Sequence, residues 1–562
     1  MFKKSNKQPQ LDAFANVTAM LDGVANKQYN DGGHWHNQFR EQIVMRIDES
    51  IYSVLYSESM GAPNASICTL IGMMILKESF GWSDSQLFEH CRFNLLVRSA
   101  IGLFNMNDSI PSESTYYLLR KRIYEYQRQS GEDLIANTFS NITRGQVREF
   151  EVNGRSIRMD SKLIGSNIAF FGRYELIHQT LCMFYKSLDK VAKSRIHATD
   201  MEQLQALCNE ETGKTVYRSS REEITSRLQP IGILTYKMLK LFDGIKTQPF
   251  ELLWRVFNEQ YQITEDLRVE LRPKEEISSS SVQSPHDPDS AYRNKAGEQV
   301  KGYSVNITES NSEGNLNLIT NVIVDKANTP DKEFVEPAIV ATTQVTGQKV
   351  EKVYADGAYQ SPDNDAFCEN IDMVFTGVQG AKSRFDLQIT DQGLLVTDTQ
   401  TSECQIAKLA TKNKNSKEDR YFIISDHKKI YFGQSAIRAA MIRKTINQRS
   451  IKELHKRNNV EATIFQLAYH LRNKKSKYRT LIKQQIWATC RCLWINFVRI
   501  LNYIKQTYQG THICWQKSKK WGCFIPKTFT FLKHFPIPLA FLFLIIFFPK
   551  NIEIVTIRKC HF

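Results

Sequence analysis

The sequence predicts a mixed α/β chain. An all-helical N-terminal domain covers residues 1–150, and a domain of strands and helices covers 151–505. A helical insertion at about 170–290 and a β-rich insertion at about 376–445 interrupt the second domain, and a basic, aromatic and apolar tail follows over 506–562. Three observations lead there. The chain has 562 residues, about twice what one hydrophobic core sustains. Its apolar spacing is helical up to Phe150 and then alternates in a two-residue period. After residue 300, short β-branched runs and helical stretches follow one another in turn.

The helical start is justified segment by segment. Ser66–Ser79, SICTLIGMMILKES, is apolar all round and reads as a buried helix. Ser83 or Asp84 caps a second helix, SQLFEHCRFNLLVRSAIGL. Pro111-Ser112-Glu113-Ser114 opens a third, TYYLLRKRIYEYQRQ, made basic by Arg120, Lys121, Arg122 and Arg128. Short helices ending in a basic one suit a DNA-reading module of the helix-turn-helix sort; an ordinary bundle with a solvated basic face fits the same pattern.

From Phe150 the run EFEVNGRSIRMDSKLIGSN alternates across Asn153-Gly154, a hairpin-type turn, into a strand Arg155–Asp160. Residues 170–275 are helical in period, and SSSSVQSPHDP at 278–288 is a polar linker or loop. Strands are predicted at Lys301–Thr308, Asn317–Asp325, Lys352–Asp356 and Ile371–Phe375, with helices at Lys332–Gln348 and Ser361–Asn370. Residues 378–440 look mostly β, and Gln448 onward is helical to about Gln506.

Charge is unevenly spread. Met441–Phe562 holds 23 Lys or Arg against three acidic residues, a net +20, which leaves −5 for the first 440 residues of a chain whose total is +15. Such a block is the footprint of polyanion binding. The eleven cysteines are scattered, without zinc-site spacing, and no apolar stretch follows the N-terminal lysines. Free thiols in a cytoplasmic protein are therefore expected. Phe535–Pro549, FPIPLAFLFLIIFFP, has no polar side chain; a spanning helix needs about 20 residues, so a membrane span is not expected, and a buried C-terminal helix, a membrane-surface segment or sequence read through past a natural end are the readings left open.

Three carboxylates stand out by position. Asp160 closes the first predicted strand, Asp356 closes a later one in YADGAYQSP, and Glu461 lies on a helix in HKRNNVEATIFQLAYH. Carboxylates at two strand ends, with a third from a helix packed across them, offer hard oxygen ligands to Mg²⁺ or Mn²⁺. Singly, each is as readily a turn residue, a cap or a solvated side chain.

Taken with this order of elements, IRMDSKLIGSN, SPHDPDSAYRNKAGEQVKGYSVNI, VYADGAYQSPDN and NNVEATIFQLAYHLR resemble a DDE transposase of bacterial insertion sequences, over roughly residues 35–505. The resemblance implies a ribonuclease-H-like catalytic core with Asp160, Asp356 and Glu461 as metal ligands. It also implies a helper arginine, Arg457, one turn before Glu461, for DNA phosphate; a surface ion pair with Glu461 is its other reading. A tyrosine and a lysine of some relatives are replaced by Leu454 and Ala468, and Cys404 stands alone where others carry paired cysteines. The expected activity is metal-dependent cutting of inverted-repeat ends and their transfer into target DNA on the bacterial chromosome or a plasmid, by a homodimer. Arg120, Lys121, Arg122, Arg457 and Lys483 are the expected DNA contacts. A nuclease that cuts without joining, and a catalytically silent DNA-binding protein, are the alternatives.

Overall fold

The computed structural model describes the chain apart from Pro9, Ala296, residues 379–383, 411–418, 426–427 and 521–562, and the side chains of 508–520. It divides into two units, 1–501 and 502–562. In the second, the described residues 502–520 continue a helix that begins at Leu481. The apolar run 535–549 and Trp521 lie outside the described residues, and so does the side chain of Trp515. Among the described residues no helix is long and apolar enough to cross a membrane, and the described cysteines are free thiols.

Helix Ile67–Phe80 forms as its sequence dictates. Ser66 caps it by accepting from the Thr69 N–H, and left-handed Gly81 ends it. Nearly all its side chains are buried, because it runs through the middle of the largest core. Ser83 and Gln86 make a reciprocal capping box on Asp84–Phe93, and Ser112 caps the basic helix Glu113–Ser130. The predicted second helix is broken. Asn94 takes an extended backbone and its side chain accepts from Leu96 and Val97, so a new helix starts at Leu95.

The central sheet contains β1 (Ser156–Gly165); the hairpin β2 (Tyr261–Ile263) and β3 (Val269–Leu271) belongs to the helical insertion instead. The other members are β4 (Ala291–Lys295), β5 (Glu298–Ser310), β6 (Ile319–Lys326), β7 (Lys352–Ala355) and β8 (Asp372–Phe375). The order is β4-β5-β1-β7-β8, with β6 also on β5. Long β5 makes this possible: residues 298–302 pair with β4, and 303–309 pair with β6. These pairs and β5–β1 are antiparallel, whereas β1–β7 and β7–β8 are parallel.

The expected hairpin at Asn153-Gly154 does not form. Of its first arm, Glu149 ends the helix Leu134–Glu149, Phe150 caps that helix and Glu151 turns into the left-handed region at φ 51°, while both edges of β1 are occupied by β5 and β7. Gly154 packs on Thr346, where a Cβ would come within 2.6 Å of the side chain.

Alternation along β1 sorts its side chains. Ile157 and Met159 face the helix Val335–Thr346 in one core, while Arg158 and Asp160 point to the opposite face. On that face the long helix, the N-terminal helices, β5 and β6 share a single core. The helical insertion has a core of its own, built by helices such as Arg173–Ser187, Arg221–Leu241 and Gln248–Gln260.

The β-rich insertion holds two three-stranded sheets, β9 (Phe385–Thr390), β10 (Gly393–Asp398) and β11 (Cys404–Ile406), then β12 (Lys408–Leu409), β13 (Tyr421–Ser425) and β14 (Lys428–Phe432). It ends earlier than its composition suggested: Gln434–Gln448 is a helix whose Ile437 and Ala440 close the insertion's core. The C-terminal helical stretch is also interrupted. After helix Asn458–Ala468 the chain leaves helical geometry until Leu481, and Gly165 at the end of β1 exchanges hydrogen bonds with Lys474 and Ser476.

Candidate active site

β1 and β7 place two carboxylates side by side. Their parallel register pairs Arg158 with Tyr354, so two residues further on Asp160 and Asp356 stand level. Contrary to the expectation from sequence, Asp160 does not end its strand: β1 continues to Gly165 against β5, while β7 stops at Ala355. Asp160 therefore sits where β1 outruns β7, with one flank open. Asp356 follows the end of β7 and caps the turn Gly357–Tyr359, accepting from the Ala358 N–H. Gly357 is required there, since a Cβ would lie 2.6 Å from the Gly377 carbonyl oxygen.

The third carboxylate comes from helix Asn458–Ala468, which packs on β1 and carries Glu461 in its first turn. Arg457 precedes that helix, at the end of the 3-10 turn His455–Arg457. Its guanidinium joins all three acids. Nη2 donates to Asp160 Oδ2 at 2.9 Å and lies 3.9 Å from Asp356 Oδ2. Nη1 donates to Glu461 Oε1 at 3.1 Å. The ion pair with Glu461 is thus present, but as one edge of a four-residue cluster. Exposure rises across it, from 15% for the Asp160 side chain to 39% for Asp356 and 57% for Glu461.

Burial raises the Asp160 carboxyl above its ordinary value; Arg457 and the Ser161 N–H pull the other way, and neighbouring Asp356 adds to the rise. Three hard oxygen donors around one positive charge are the donor chemistry a divalent cation takes. In the arrangement found, the guanidinium occupies the space between them. Among the described residues no three His, Cys, Asp or Glu side chains come close enough together to hold one ion.

A second charge cluster fixes the first and carried no signal in the sequence. Glu309, fully buried on β5, accepts from Arg158 of β1. It also accepts from Arg499 Nη2 of the long helix at 2.7 Å and from Thr463 Oγ1 at 2.7 Å. Arg158 lies two residues before Asp160, and Thr463 lies two after Glu461. Arg158 Nη1 reaches the Lys456 carbonyl at 3.4 Å, next to Arg457. One buried carboxylate thus ties together the strand and the helix that carry the site. Arg499 of the long helix is committed to this cluster.

The remaining expected DNA contacts lie elsewhere. Arg120, Lys121 and Lys483 line one cavity, whereas Arg122 turns away and stacks on Tyr56 with its Cζ 4.9 Å from the ring centre. Trp487 is buried, and Trp494 packs among Trp35, Phe39, Phe80 and Phe497.

Residues 29–122 match the family model described as Transposase domain (DUF772). The match supports a transposase of the insertion-sequence type, whose general partner is DNA. It ends before β1, so it includes Arg120, Lys121 and Arg122 but none of the three carboxylates. No curated protein and no solved structure gives a significant match.

Proposed function

We propose that this protein is a transposase of the DDE type: it cuts the inverted-repeat ends of its insertion sequence and joins them to target DNA at Asp160, Asp356 and Glu461. The observation that carries the reading is the convergence of these acids on Arg457, which lies 297 residues from Asp160 in the chain and 2.9 Å from it in space. The strand order supports a ribonuclease-H-like core, with antiparallel β6–β5–β1 followed by parallel β7 and β8.

In this reading the three carboxylates would hold Mg²⁺ or Mn²⁺ once the Arg457 guanidinium leaves the space between them, and the ion would supply Lewis-acid activation of water and offset charge developing at phosphorus. The chain's own residues do the positioning. The Ser161 and Ala358 N–H groups orient the two aspartates. Glu461, the most exposed of the three, has the freest side chain. Arg457 presents a planar fork that turns from carboxylate to scissile phosphate without changing partner geometry. Two DNA ends must meet one target, so two copies of the chain act together. Arg120, Lys121 and Lys483 bind the DNA backbone away from the chemistry, and Arg122, stacked on Tyr56, is not part of that surface.

The test is a cleavage and strand-transfer assay on the element's own ends with Mg²⁺ or Mn²⁺. Wild type runs beside Asp160→Asn, Asp356→Asn, Glu461→Gln and Arg457→Lys. The expected result is joining by wild type, with each carboxylate variant binding DNA but doing no chemistry. Arg457→Lys should lose most activity because a point charge cannot bridge the same oxygens. Active carboxylate variants would refute the site. Cutting without joining would point to a nuclease, and binding without cutting to a silent DNA-binding protein.

A further inference from the structure

The basic helix Glu113–Ser130 and the start of the long helix enclose a cavity of about 310 Å³. Its floor is apolar, formed by Met74, Ile123 and Ile486. Tyr117 and Tyr124 line it two helical turns apart, on one face of the basic helix. Arg120, Lys121 and Lys483 bring positive charge to the lining, which also includes one carboxylate, Glu78, committed to the Tyr478 hydroxyl. The Lys483 ammonium sits 5.1 Å from the centre of the Tyr124 ring. The Lys121 side chain is 68% exposed and only loosely paired with Glu125, at 3.7 Å. Arg120 is anchored, 3.5 Å from Asp84 and 5.3 Å from the Tyr116 ring centre.

A surface that only grips a duplex needs cations and no cavity, because phosphates are met from outside. Here positive charge surrounds a concave site walled by aromatic rings, and its volume is at the small end for ligand pockets. Such a site admits one flat ring system with an anionic group at the rim. A nucleotide has that chemistry: its base stacks on tyrosine, and its phosphate meets lysine.

We propose that this cavity takes a single unstacked nucleobase of DNA, stacked against Tyr117 and Tyr124, with the adjoining phosphate held by Lys121 and Lys483. The inference rests on the reading of the chain as a DNA-acting protein and adds a preference for DNA with unpaired nucleotides. It assigns work to residues remote in sequence that the fold brings together, and it is independent of the carboxylate cluster.

The experiment measures fluorescence anisotropy of the full chain with two labelled probes, without divalent metal. One is a blunt 20-base-pair duplex; the other is the same duplex with a four-nucleotide single-stranded end. Wild type should bind the tailed probe about tenfold more tightly, the size of one base stacked on an aromatic ring. Tyr117→Ala combined with Tyr124→Ala should erase that preference and leave blunt-duplex binding unchanged. Tyr124→Phe, which keeps the ring, should retain it. Equal affinity of wild type for the two probes, or equal loss on both in the double variant, would overturn the pocket while leaving DNA binding intact. Binding of neither probe would refute the DNA-acting reading itself, and the pocket with it.

Discussion

Replacing Glu309 by glutamine tests how the site is held together. The side chain is fully buried and receives three hydrogen bonds, from Arg158, Arg499 and Thr463. Glutamine keeps the shape but removes the charge and turns one acceptor into a donor facing guanidinium N–H groups. Breaking a buried charge cluster from one side costs about 3–5 kcal/mol, since the surviving charges stay out of water without compensation. At roughly 1 °C per kcal/mol for a cooperative unit of about 500 residues, the thermal midpoint should fall by roughly 3–5 °C. The exposed pair Glu211–Lys214, with side chains 69% and 65% exposed, is the control. Glu211→Gln should change stability by no more than about 1 kcal/mol. Circular dichroism melts of the full chain, with urea titrations, measure both. If Glu309→Gln melts within a degree or two of wild type, the cluster is not what fixes helix Asn458–Ala468 to β1, and the positioning argument fails.

Two further predictions concern other parts of the fold. The Glu453 carboxyl is held below its ordinary value, first by its hydrogen bond from Lys352 and also by Tyr354 and Arg449. A depressed carboxylate contributes stability that is fully present above its unfolded value and is lost as pH falls through the folded one. Glu453→Gln should therefore unfold at lower urea than wild type at pH 7 and converge with it near pH 3; a constant gap across that range would refute the linkage. Gly357→Ala should displace the turn that carries Asp356, because the added methyl meets the Gly377 carbonyl oxygen. It should destabilise by about 1–3 kcal/mol and reduce strand cutting more than DNA binding; unchanged cutting would show that the turn tolerates the shift.

The elements most legible in the sequence are those with local causes. Ser66, Ser83 and Ser112 each sit before an apolar or basic run and each caps its helix. The strand carrying Asp160 was readable from alternation and the one that ends just before Asp356 from its apolar run, but their register was not, and register is what sets the two acids level. The misreadings have non-local causes. Asn94 breaks an unbroken helical period with one side chain. Residues 469–480 leave the helix where Gly165 pairs with Lys474 and Ser476, and no pattern in that stretch announces a partner about 300 residues away. Short, polar β4 pairs only through the overlong β5. Glu309 was invisible because a carboxylate in a strand reads as solvent-facing until its two arginines arrive from distant segments.

The way the cores are divided makes some parts of the molecule exchangeable and others not. Helices from the first 150 residues interdigitate with β5, β6 and the start of the long helix in one apolar mass. Neither the N-terminal segment nor the sheet has a complete interior alone, so both should melt in a single transition, and a truncated chain lacking either would expose apolar surface. The helical insertion between β1 and β4 is self-contained. It could be shortened, enlarged or swapped without opening the interior that supports Asp160 and Glu461. Variation would then be cheapest in the insertion, and the single core shared by the basic helix, the long helix and the sheet would act as a fixed ruler between the cavity and the carboxylates.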